Sequence, residues 1–491
     1  MFDIFVIGGG VNGCGIARDA AGRGLRVGLA EMDDLASGTS SASTKLFHGG
    51  LRYLEFYKFR LVREALIERE VLLRNMPHIS WPLRFVLPLH KDMRAAWLVR
   101  LGLFLYDHLG GRKILPATKV LDLGKDVAGA PLKPALKKAF EYSDCWVQDS
   151  RLVVLNAVDA AARGAKIMTR TKVISARRHS DHWAVELSQN GQNSVIRTKV
   201  LVNAAGPWVA QVVQNTLKLK TREGVRLVRG SHIVVKKHFA HDRAYFFQGR
   251  DNRIIFAIPF ESDFTLIGTT DHDQKNDLSP PKCTEEEATY LRHFASEYFK
   301  TPINPEDIVW TYAGVRPLYD DHASNATEAT RDYVLSLNED AAPLLSVFGG
   351  KITTYRKLAE AVMAKLESHF ENLQENWTAI APLPGGDFPH DAVPRLIAEL
   401  QAAYPFLPAN QAQRLIRTYG TLATKLLGRA AQASDLGENF GAGLTEAEVR
   451  WLVDKEFAMT SEDVLWRRTK LGLRFEPNQV KRLEAWMAKV A

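Results

Sequence analysis

The sequence predicts an α/β protein with three parts: a domain built on a parallel sheet, a domain built on a mixed sheet, and a helical domain at the C-terminal end. Three observations predict this fold class. An apolar strand, a glycine-rich turn, a helix and a second strand open the chain. Segments rich in β-branched and aromatic residues follow one another between residues 231 and 337. Beyond Pro389, apolar residues recur at helical spacing.

The first fifty residues contain a complete dinucleotide-binding pattern. The apolar run Phe2–Ile7 leads directly into Gly8, Gly10 and Gly13 in the spacing G-x-G-x-x-G, and the second strand ends at Glu31. The first glycine permits a tight turn, the second lets the backbone approach a pyrophosphate, and the third lets helix and sheet pack closely. The helix N-terminus offers N–H groups to phosphates, and the acidic residue can accept hydrogen bonds from a ribose diol. A dinucleotide cofactor is therefore predicted.

Length and composition limit the number of domains and the kinds of protein that this chain can be. At 491 residues the chain exceeds the size at which single cores stop growing, so two or three domains are expected. The three cysteines show no paired or metal-like spacing, which indicates a reducing compartment and no metal site. The net charge of +8 is dispersed and does not predict nucleic-acid binding. No apolar run approaches the roughly 20 residues that span a bilayer, and a strand that starts at residue 2 leaves no room for a signal peptide.

Breaks in the pattern divide the chain into domains. A serine-rich loop follows the opening unit, and an amphipathic helix is predicted over Phe59–Asn75. Strands at Trp310–Pro317 and Asp332–Leu337 are expected to continue the second sheet, whereas Leu344–Phe348 returns to the first domain. The predicted domains are 1–75, 150–225 and 340–380 for the dinucleotide, 76–149 and 226–339 for the second domain, and 390–491 for the helical domain.

Further motifs occur in order along nearly the whole chain. They are Ile7–Gly13, Thr39–Ser43, His48–Glu55, Glu141–Trp146, Gly230–His232, Gly268–Asp271, Gly314–Pro317, Phe348–Lys351 and Asp463–Lys470. Together they resemble the bacterial aerobic, FAD-dependent glycerol-3-phosphate dehydrogenases. The resemblance implies a fold of the glycine/D-amino-acid oxidase type with a substrate-binding, membrane-facing second domain. It also implies oxidation of sn-glycerol 3-phosphate to dihydroxyacetone phosphate, with hydride passing to FAD and electrons to a membrane quinone.

FAD, rather than NAD, is the predicted cofactor. Two further turns of small residues, at Ala204–Gly206 and Gly349–Gly350, favour a flavin held by distant segments, as the resemblance also implies. Serine hydroxyls in the loop are expected to hold pyrophosphate or ribityl oxygens, with simple solvation of the loop as the alternative. The predicted cofactor residues are Gly8, Gly10, Gly13, Glu31, Ser40, Ser41, Ser43, His48, Gly49, Val173, Gly206, Gly350, Lys351 and Ile352.

The substrate site is expected to combine cations for a phosphate with a base for a hydroxyl. Guanidinium groups suit a phosphate dianion because they are permanently charged and forked, and Arg52 and Arg316 each lie in a glycine-flanked motif. By resemblance, Tyr53, Thr270 and Lys351 join them. His232 is the predicted base, since histidine titrates near neutrality, and Arg316 is a second catalytic candidate.

One basic segment rich in apolar residues bears on membrane attachment, and two rival functions are compatible with the sequence. The segment from Arg84 to Lys113 has six basic and two acidic residues among aromatic and leucine residues, as in a helix lying in a membrane interface. A buried amphipathic helix is the alternative. The resemblance favours peripheral attachment to the cytoplasmic membrane face, and a homodimer is compatible with it. The rival functions are an amino-acid oxidase or dehydrogenase on the same fold, and a flavin- or RNA-binding protein without catalysis.

Overall fold

The computed structural model describes residues 1–249, 253–274, 280–320 and 332–490. Parts of the predicted second domain therefore lie outside the described residues. The strands are β1 (Phe2–Ile7), β2 (Val27–Ala30), β3 (Leu46–Phe47), β4 (Ser80–Pro88), β5 (Lys119–Asp122), β6 (Lys138–Val147), β7 (Lys166–Met168), β8 (Thr171–Arg178), β9 (Trp183–Gln189), β10 (Gln192–Asn203), β11 (Val225–Lys236), β12 (Ala244–Gln248), β13 (Ile254–Phe260), β14 (Phe264–Gly268), β15 (His272–Asp273), β16 (Ile308–Tyr319), β17 (Val334–Asn338), β18 (Leu344–Phe348), β19 (Asn439–Gly441) and β20 (Leu444–Thr445).

The α-helices run along the chain between and after these strands. They are α1 (Val11–Gly22), α2 (Phe59–Asn75), α3 (Ala96–Leu109), α4 (Asp149–Ala162), α5 (Val209–Gln211), α6 (Glu285–Tyr298), α7 (Tyr355–Leu366), α8 (Val393–Ala403), α9 (Ala409–Tyr419), α10 (Ala423–Leu427), α11 (Glu446–Glu456) and α12 (Pro477–Val490). Three short helical turns contribute residues to the site. Two are 3₁₀ turns, at Thr39–Ser41 and Leu51–Phe56, and one is a π-helical turn at Asp463–Arg468.

The first sheet has β1 at its centre, between β2 and β10, and both pairings are parallel. The strand order is β17-β18-β10-β1-β2-β7, with β8 and β9 continuing from β10. β1 is apolar on both faces, as expected of a strand at the centre of a buried parallel sheet. The helices α1, α4 and α7 cover one side of the sheet, and the β1 residues from Ile4 to Val6 are fully buried. This is the predicted parallel-sheet domain.

Two short strands belong to a different sheet from the one that the predicted domain boundaries imply. β17 was expected in the second sheet, but it pairs antiparallel with β18, with Val334 opposite Phe348. A connection of a few residues makes the next strand in sequence the natural partner. β3 lies within the predicted range 1–75 but pairs with β6 of the second sheet, with Leu46 opposite Trp146. The segment between β2 and α2 therefore links the two sheets.

The second sheet positions the candidate catalytic residues. Its order is β15-β11-β14-β13-β12-β4-β6-β3, with β16 also pairing β11 and β5 pairing β6. In β11, His232 lies between Gly268 of β14 and Tyr312 of β16. This mixed, mainly antiparallel sheet confirms the predicted fold class together with the first sheet.

The C-terminal domain consists of helices α8 to α12 around their own core. Buried ion pairs attach it to the first domain, including Arg151 with Glu456. Arg474 forms an ion pair with Asp263 of the second sheet at 2.6 Å. Among the described residues, no helix has the length and apolarity needed to cross a membrane.

Candidate functional site

One large cavity lies where the two sheets and the C-terminal domain meet. Its volume is about 1210 Å³, and residues from all three domains line it. The lining includes the end of β1, the loop after β2, the 3₁₀ turn Leu51–Phe56, part of β16 and the turn after β18. The cavity therefore joins both halves of the predicted site, the cofactor half and the substrate half.

The glycine-rich turn is shaped for close approach of a ligand. Gly8 has a φ of +109°, and a Cβ there would lie 2.7 Å from the carbonyl oxygen of Ala204. A Cβ on Gly13 would lie 1.9 Å from the Gly8 carbonyl oxygen, so this glycine serves the packing of α1 and does not line the cavity. Gly10 lines the cavity at the N-terminus of α1, where helix N–H groups attract phosphate.

Glu31 lies in the cavity wall at the end of β2, as predicted. Its carboxylate accepts the Gly9 N–H at 2.6 Å and the Asp33 N–H at 2.9 Å. Burial raises the pKa of this carboxyl, although the two N–H groups oppose that effect. The side chain thus ties the glycine-rich turn to the loop that follows β2.

The three predicted serines line the cavity but have different partners. The Ser40 hydroxyl accepts the Val11 N–H at 3.0 Å, so it reaches the N-terminus of α1. The Ser43 hydroxyl donates to Asp149 at 2.8 Å. The carbonyl of Ser41 accepts from Lys45 at 3.1 Å. Ser43 therefore supports the buried Lys45–Asp149 ion pair, in which the two side chains are 1% and 0% exposed.

Most of the other predicted cofactor residues also line the cavity: His48, Val173, Gly206, Gly350, Lys351 and Ile352. Gly350 has a φ of +108°, and a Cβ there would lie 2.7 Å from the Asn12 side chain. Gly49 lies outside the wall, because its N–H donates to the Tyr106 hydroxyl at 2.7 Å and a Cβ there would strike Leu66.

The cavity fits a flavin dinucleotide on its own geometry. The Oδ1 atom of Asn12 is buried in this wall and has no hydrogen-bond partner in the described parts of the chain. Such an atom is costly unless a ligand or water pairs with it. Combined with the glycine turn, the helix N-terminus and the acidic end of β2, this orphaned acceptor indicates a ligand with several polar groups.

His232 is buried in the cavity wall with an exposed fraction of 2%. Its ring stacks on Tyr312 at a centroid distance of 4.6 Å, and its Nε2 shares a hydrogen bond of 3.0 Å with the Thr44 hydroxyl. Its Nδ1 has no partner among the described residues. Burial is the main reason that the pKa of His232 falls well below its usual value, and the charges of Arg316 and Lys45 lower it further. The imidazole is therefore neutral near pH 7, as a proton acceptor must be.

Arg316 lies on β16 and faces the cavity. It forms an ion pair with Asp271 and donates to the Thr269 hydroxyl at 2.9 Å. The predicted substrate residue Thr270 points elsewhere: it is 1% exposed, and its hydroxyl donates to Glu287 at 2.8 Å. Because alternate residues face opposite sides of an extended chain, Thr269 and Asp271 line the cavity in its place.

Two further cations approach the same region. Arg52 and Tyr53 line the cavity from the 3₁₀ turn Leu51–Phe56. The Lys351 ammonium lies 4.4 Å from the centroid of the Tyr53 ring. Arg52, Lys351 and Arg316 are thus three cationic side chains in the lining of one cavity.

The structure adds site residues that the sequence did not predict. On β16, Trp310, Tyr312 and Gly314 line the cavity together with Arg316, and their place in the same predicted strand as Arg316 is the signal that could have found them. Trp466 of the C-terminal domain stacks on Trp310 at 4.6 Å. Thr44 also had no signal of its own in the sequence.

The C-terminal domain contributes Glu462, Trp466, Arg467 and Lys470 to the cavity wall. Burial, together with the nearby charge of Lys45, lowers the pKa of Lys470 to about 7. The helical domain is thus part of the site.

Apolar side chains are exposed beside the substrate end of the cavity. The predicted interfacial segment forms β4 and α3; this helix buries Leu103 and Tyr106 and exposes its other face. We call the exposed set the apolar surface: Phe56, Tyr57, Phe59, Trp97, Leu98, Leu101 and Phe104. Phe56 also lines the cavity.

Comparisons with known proteins agree with this geometry. The family described as FAD dependent oxidoreductase matches residues 3–356, and the C-terminal domain of alpha-glycerophosphate oxidase matches residues 377–491. A D-erythritol 1-phosphate dehydrogenase of Brucella abortus is 52% identical over 95% of this chain and 94% of its own. A glycerol-3-phosphate dehydrogenase of Pseudomonas aeruginosa is 51% identical over 99% and 95%. The crystal structure of the Bacillus halodurans glycerol-3-phosphate dehydrogenase complexed with FAD superposes with a TM-score of 0.80, at 28% identity, over 100% of this chain and 90% of that one.

Proposed function

Because the chain belongs to the family of FAD-dependent oxidoreductases that includes the glycerol-3-phosphate dehydrogenases, we propose that it oxidises sn-glycerol 3-phosphate to dihydroxyacetone phosphate. The family membership confirms the resemblance in the motifs and the predicted cofactor, FAD. The observation that carries the substrate assignment is the position of a neutral, buried His232 in the same cavity wall as the cationic Arg52, Arg316 and Lys351.

The reaction removes a hydride from carbon and a proton from oxygen. FAD, when bound, supplies the hydride acceptor. With Nε2–H donating to the Thr44 hydroxyl, the lone pair lies on Nδ1, which has no partner among the described residues, and His232 takes the hydroxyl proton there. The stack on Tyr312 holds the imidazole plane in place while it does so. General-base catalysis of this kind contributes about 10²–10⁴ in rate.

The cationic side chains of the cavity are assigned to the phosphate. Arg316 is already oriented by Asp271 and Thr269, so little side-chain entropy is lost when it binds an anion. Arg52 and Lys351 line the same cavity, and Tyr53 adds a hydroxyl donor. Charge-assisted hydrogen bonds of this kind are worth roughly 1.5–3 kcal/mol each.

The test is the visible spectrum of the holoenzyme, recorded anaerobically before and after addition of glycerol 3-phosphate. Bleaching of the flavin bands with this substrate, and none with glycerol, would support the assignment of a phosphorylated alcohol. Bleaching only with amino acids would favour the rival oxidase, and no bleaching with either would favour a binding protein without catalysis.

A second candidate substrate is D-erythritol 1-phosphate. It is favoured by the relative named for that activity, which is as similar to this chain as the glycerol-3-phosphate dehydrogenase of Pseudomonas aeruginosa. Both compounds present a phosphate and a hydroxyl to the same groups. The ratio of kcat/KM for the two phosphates distinguishes them, and a larger value for the four-carbon compound would replace the glycerol assignment.

We also propose that the electrons pass to a quinone in the cytoplasmic face of the membrane, to which the protein attaches peripherally through the apolar surface. Its exposed side chains include Tyr57 at 80% and Trp97 at 70%. Exposed basic residues lie nearby, at Lys58, Arg63 and Lys91, and each contributes about 1 kcal/mol near an anionic lipid surface.

Cosedimentation with lipid vesicles tests the attachment. We expect binding to vesicles that contain an anionic lipid, weaker binding at high salt, and reduction of a short-chain quinone only when glycerol 3-phosphate is present. Protein that stays in the supernatant at low salt would contradict the attachment and leave the substrate assignment untouched.

A further inference from the structure

The loop that follows β2 forms the cavity wall on the side of the glycine-rich turn. Glu31, Asp33 and Ala36 of this loop line the cavity. The loop is bonded to Gly9 twice, through the Glu31 carboxylate at 2.6 Å and through the Ala36 N–H, which donates to the Gly9 carbonyl at 3.1 Å. In this fold the acidic residue at the end of β2 binds the ribose of the adenosine half of the cofactor.

One residue of this loop, Asp34, is bound by two arginines of the C-terminal domain; Arg467 lines the cavity and Arg468 does not. Asp34 is 1% exposed and does not line the cavity. Its carboxylate accepts from Arg467 at 2.6 Å and from Arg468 at 2.8 Å through each oxygen. Both arginines belong to the π-helical turn Asp463–Arg468.

A second set of bonds holds this turn against the same loop. Arg170 donates its backbone N–H to the Asp33 carbonyl at 2.9 Å, and its guanidinium donates to Asp463 at 2.8 and 3.0 Å. Asp463 also accepts from Arg467 at 2.5 Å. Burial raises the pKa of Asp463, but the Met459 N–H and the two arginines outweigh it and hold the pKa at about 2. The carboxylate is therefore charged at any physiological pH.

We propose that Asp34 is a positioning residue for FAD: through Arg467 and Arg468 the C-terminal domain holds the loop after β2 in the shape that binds the adenosine half of the cofactor. A loop held in its bound shape loses less conformational entropy on binding. Without the clamp the loop must be ordered at the moment of binding, so affinity falls for the adenosine half and not for the isoalloxazine half. The inference depends on the FAD cofactor and not on which polyol phosphate is oxidised.

The test compares two variants of the full chain, Asp34→Asn and Arg468→Gln, because Arg468 binds Asp34 and does not line the cavity. After removal of FAD, dissociation constants are measured for FAD, ADP and riboflavin by fluorescence and calorimetry. We expect both variants to bind FAD and ADP about tenfold or more weakly, since a loss of 1.4 kcal/mol corresponds to tenfold. Riboflavin affinity should stay within about twofold of that of the unaltered protein.

Two controls separate positioning from general loosening. Arg474→Ala breaks another ion pair of the C-terminal domain, with Asp263 between β13 and β14 and not with the loop after β2, and should leave ADP affinity unchanged. Arg468→Lys, which keeps a charged contact to Asp34, should recover part of the ADP affinity. If Asp34→Asn does not fold, the arginine variants decide, because Arg467 still pairs with Asp34 in them. Unchanged ADP affinity in Arg468→Gln, or equal losses for ADP and riboflavin, would overturn the proposal.

Discussion

The chemistry at the scale of single residues depends on how His232 is buried. The ring lies between Gly268 and Tyr312 in the sheet, and a Cβ at position 268 would approach its Cδ2 to 2.1 Å. The glycine is thus required for the histidine to fit. The same burial that lowers the pKa of His232 also keeps water away from the ring.

We expect His232→Asn to lower the rate of anaerobic flavin reduction by glycerol 3-phosphate by about 10²–10⁴. The flavin should remain bound, because the substitution removes the base and keeps a polar side chain beside Thr44. The measurement is stopped-flow absorbance at saturating substrate. As a control, His238→Asn changes a histidine of the same region that bonds the Thr301 carbonyl and does not line the cavity. An undiminished reduction rate in His232→Asn would remove the base assignment.

The pH dependence of kcat/KM follows from the same burial. His232 must be neutral to accept a proton, and its pKa is lowered first by burial and then by Arg316 and Lys45. The neutral form therefore persists below the ordinary histidine pKa of about 6.5. We expect the acid limb of the kcat/KM profile to have its midpoint below this value. A midpoint above it would mean that another group limits the rate.

Arg316→Ala tests the phosphate contact. The substitution removes a charge-assisted donor worth roughly 1.5–3 kcal/mol, so kcat/KM should fall about 10- to 100-fold while FAD content is unchanged. Arg316→Lys keeps the charge but loses the fork, and we expect an intermediate value. The readout is steady-state kinetics below saturation, where wild-type rates in the alanine variant would be incompatible with the assignment.

At the scale of elements, two features build the site. One is β16, which contributes a run of lining residues that includes Trp310, Tyr312 and Arg316. The other is the tight turn between β1 and α1, where Gly8 adopts a φ that other residues rarely take.

We expect Gly8→Ala to lose FAD and to lower the free energy of unfolding. A side chain at this φ costs about 1–3 kcal/mol, and its Cβ would lie 2.7 Å from the Ala204 carbonyl oxygen. Flavin content and chemical denaturation measure the two effects. The matched control is Gly102→Ala in α3, where an added Cβ meets no described atom within 4 Å and should stabilise the helix by about 0.5–1 kcal/mol. Full flavin content in Gly8→Ala would contradict the role of the turn.

At the scale of the whole molecule, the apolar surface and the substrate end of the cavity adjoin. Phe56 belongs to both, and Arg52 and Tyr53 precede it in the same 3₁₀ turn. A protein attached through this surface would open its cavity towards the lipid, where a quinone is dissolved.

The double variant Trp97→Ser, Phe104→Ser tests this arrangement. These side chains are 70% and 50% exposed, so their loss should cost little stability but remove apolar area that would insert into lipid. We expect vesicle binding to fall at least about tenfold, with glycerol 3-phosphate oxidation by a water-soluble acceptor retained. Val195→Ser, at an exposed position in β10 (66%), serves as the control. Equal vesicle binding by the double variant and the unaltered chain would exclude this surface.

Local spacing in the sequence was enough to predict several elements. The opening βαβ unit, the helix Phe59–Asn75 and the strand Leu344–Phe348 form where their patterns predict them. The motifs also contain many of the residues that line the cavity, including His232 and Arg316. Strand, turn and helix patterns involve residues within a few positions of one another, so the chain displays them without its fold.

Long-range packing established which distant residues meet. It turned Thr270 away from the cavity and towards Glu287. It also brought Thr44 to His232, and the arginines of the π-helical turn to Asp34. These contacts join segments whose separation along the chain carries no periodic signal. Buried polar groups must find partners, and the packed chain alone brings these partners together. The motifs therefore predict many residues of the site, and the packing of distant segments completes it.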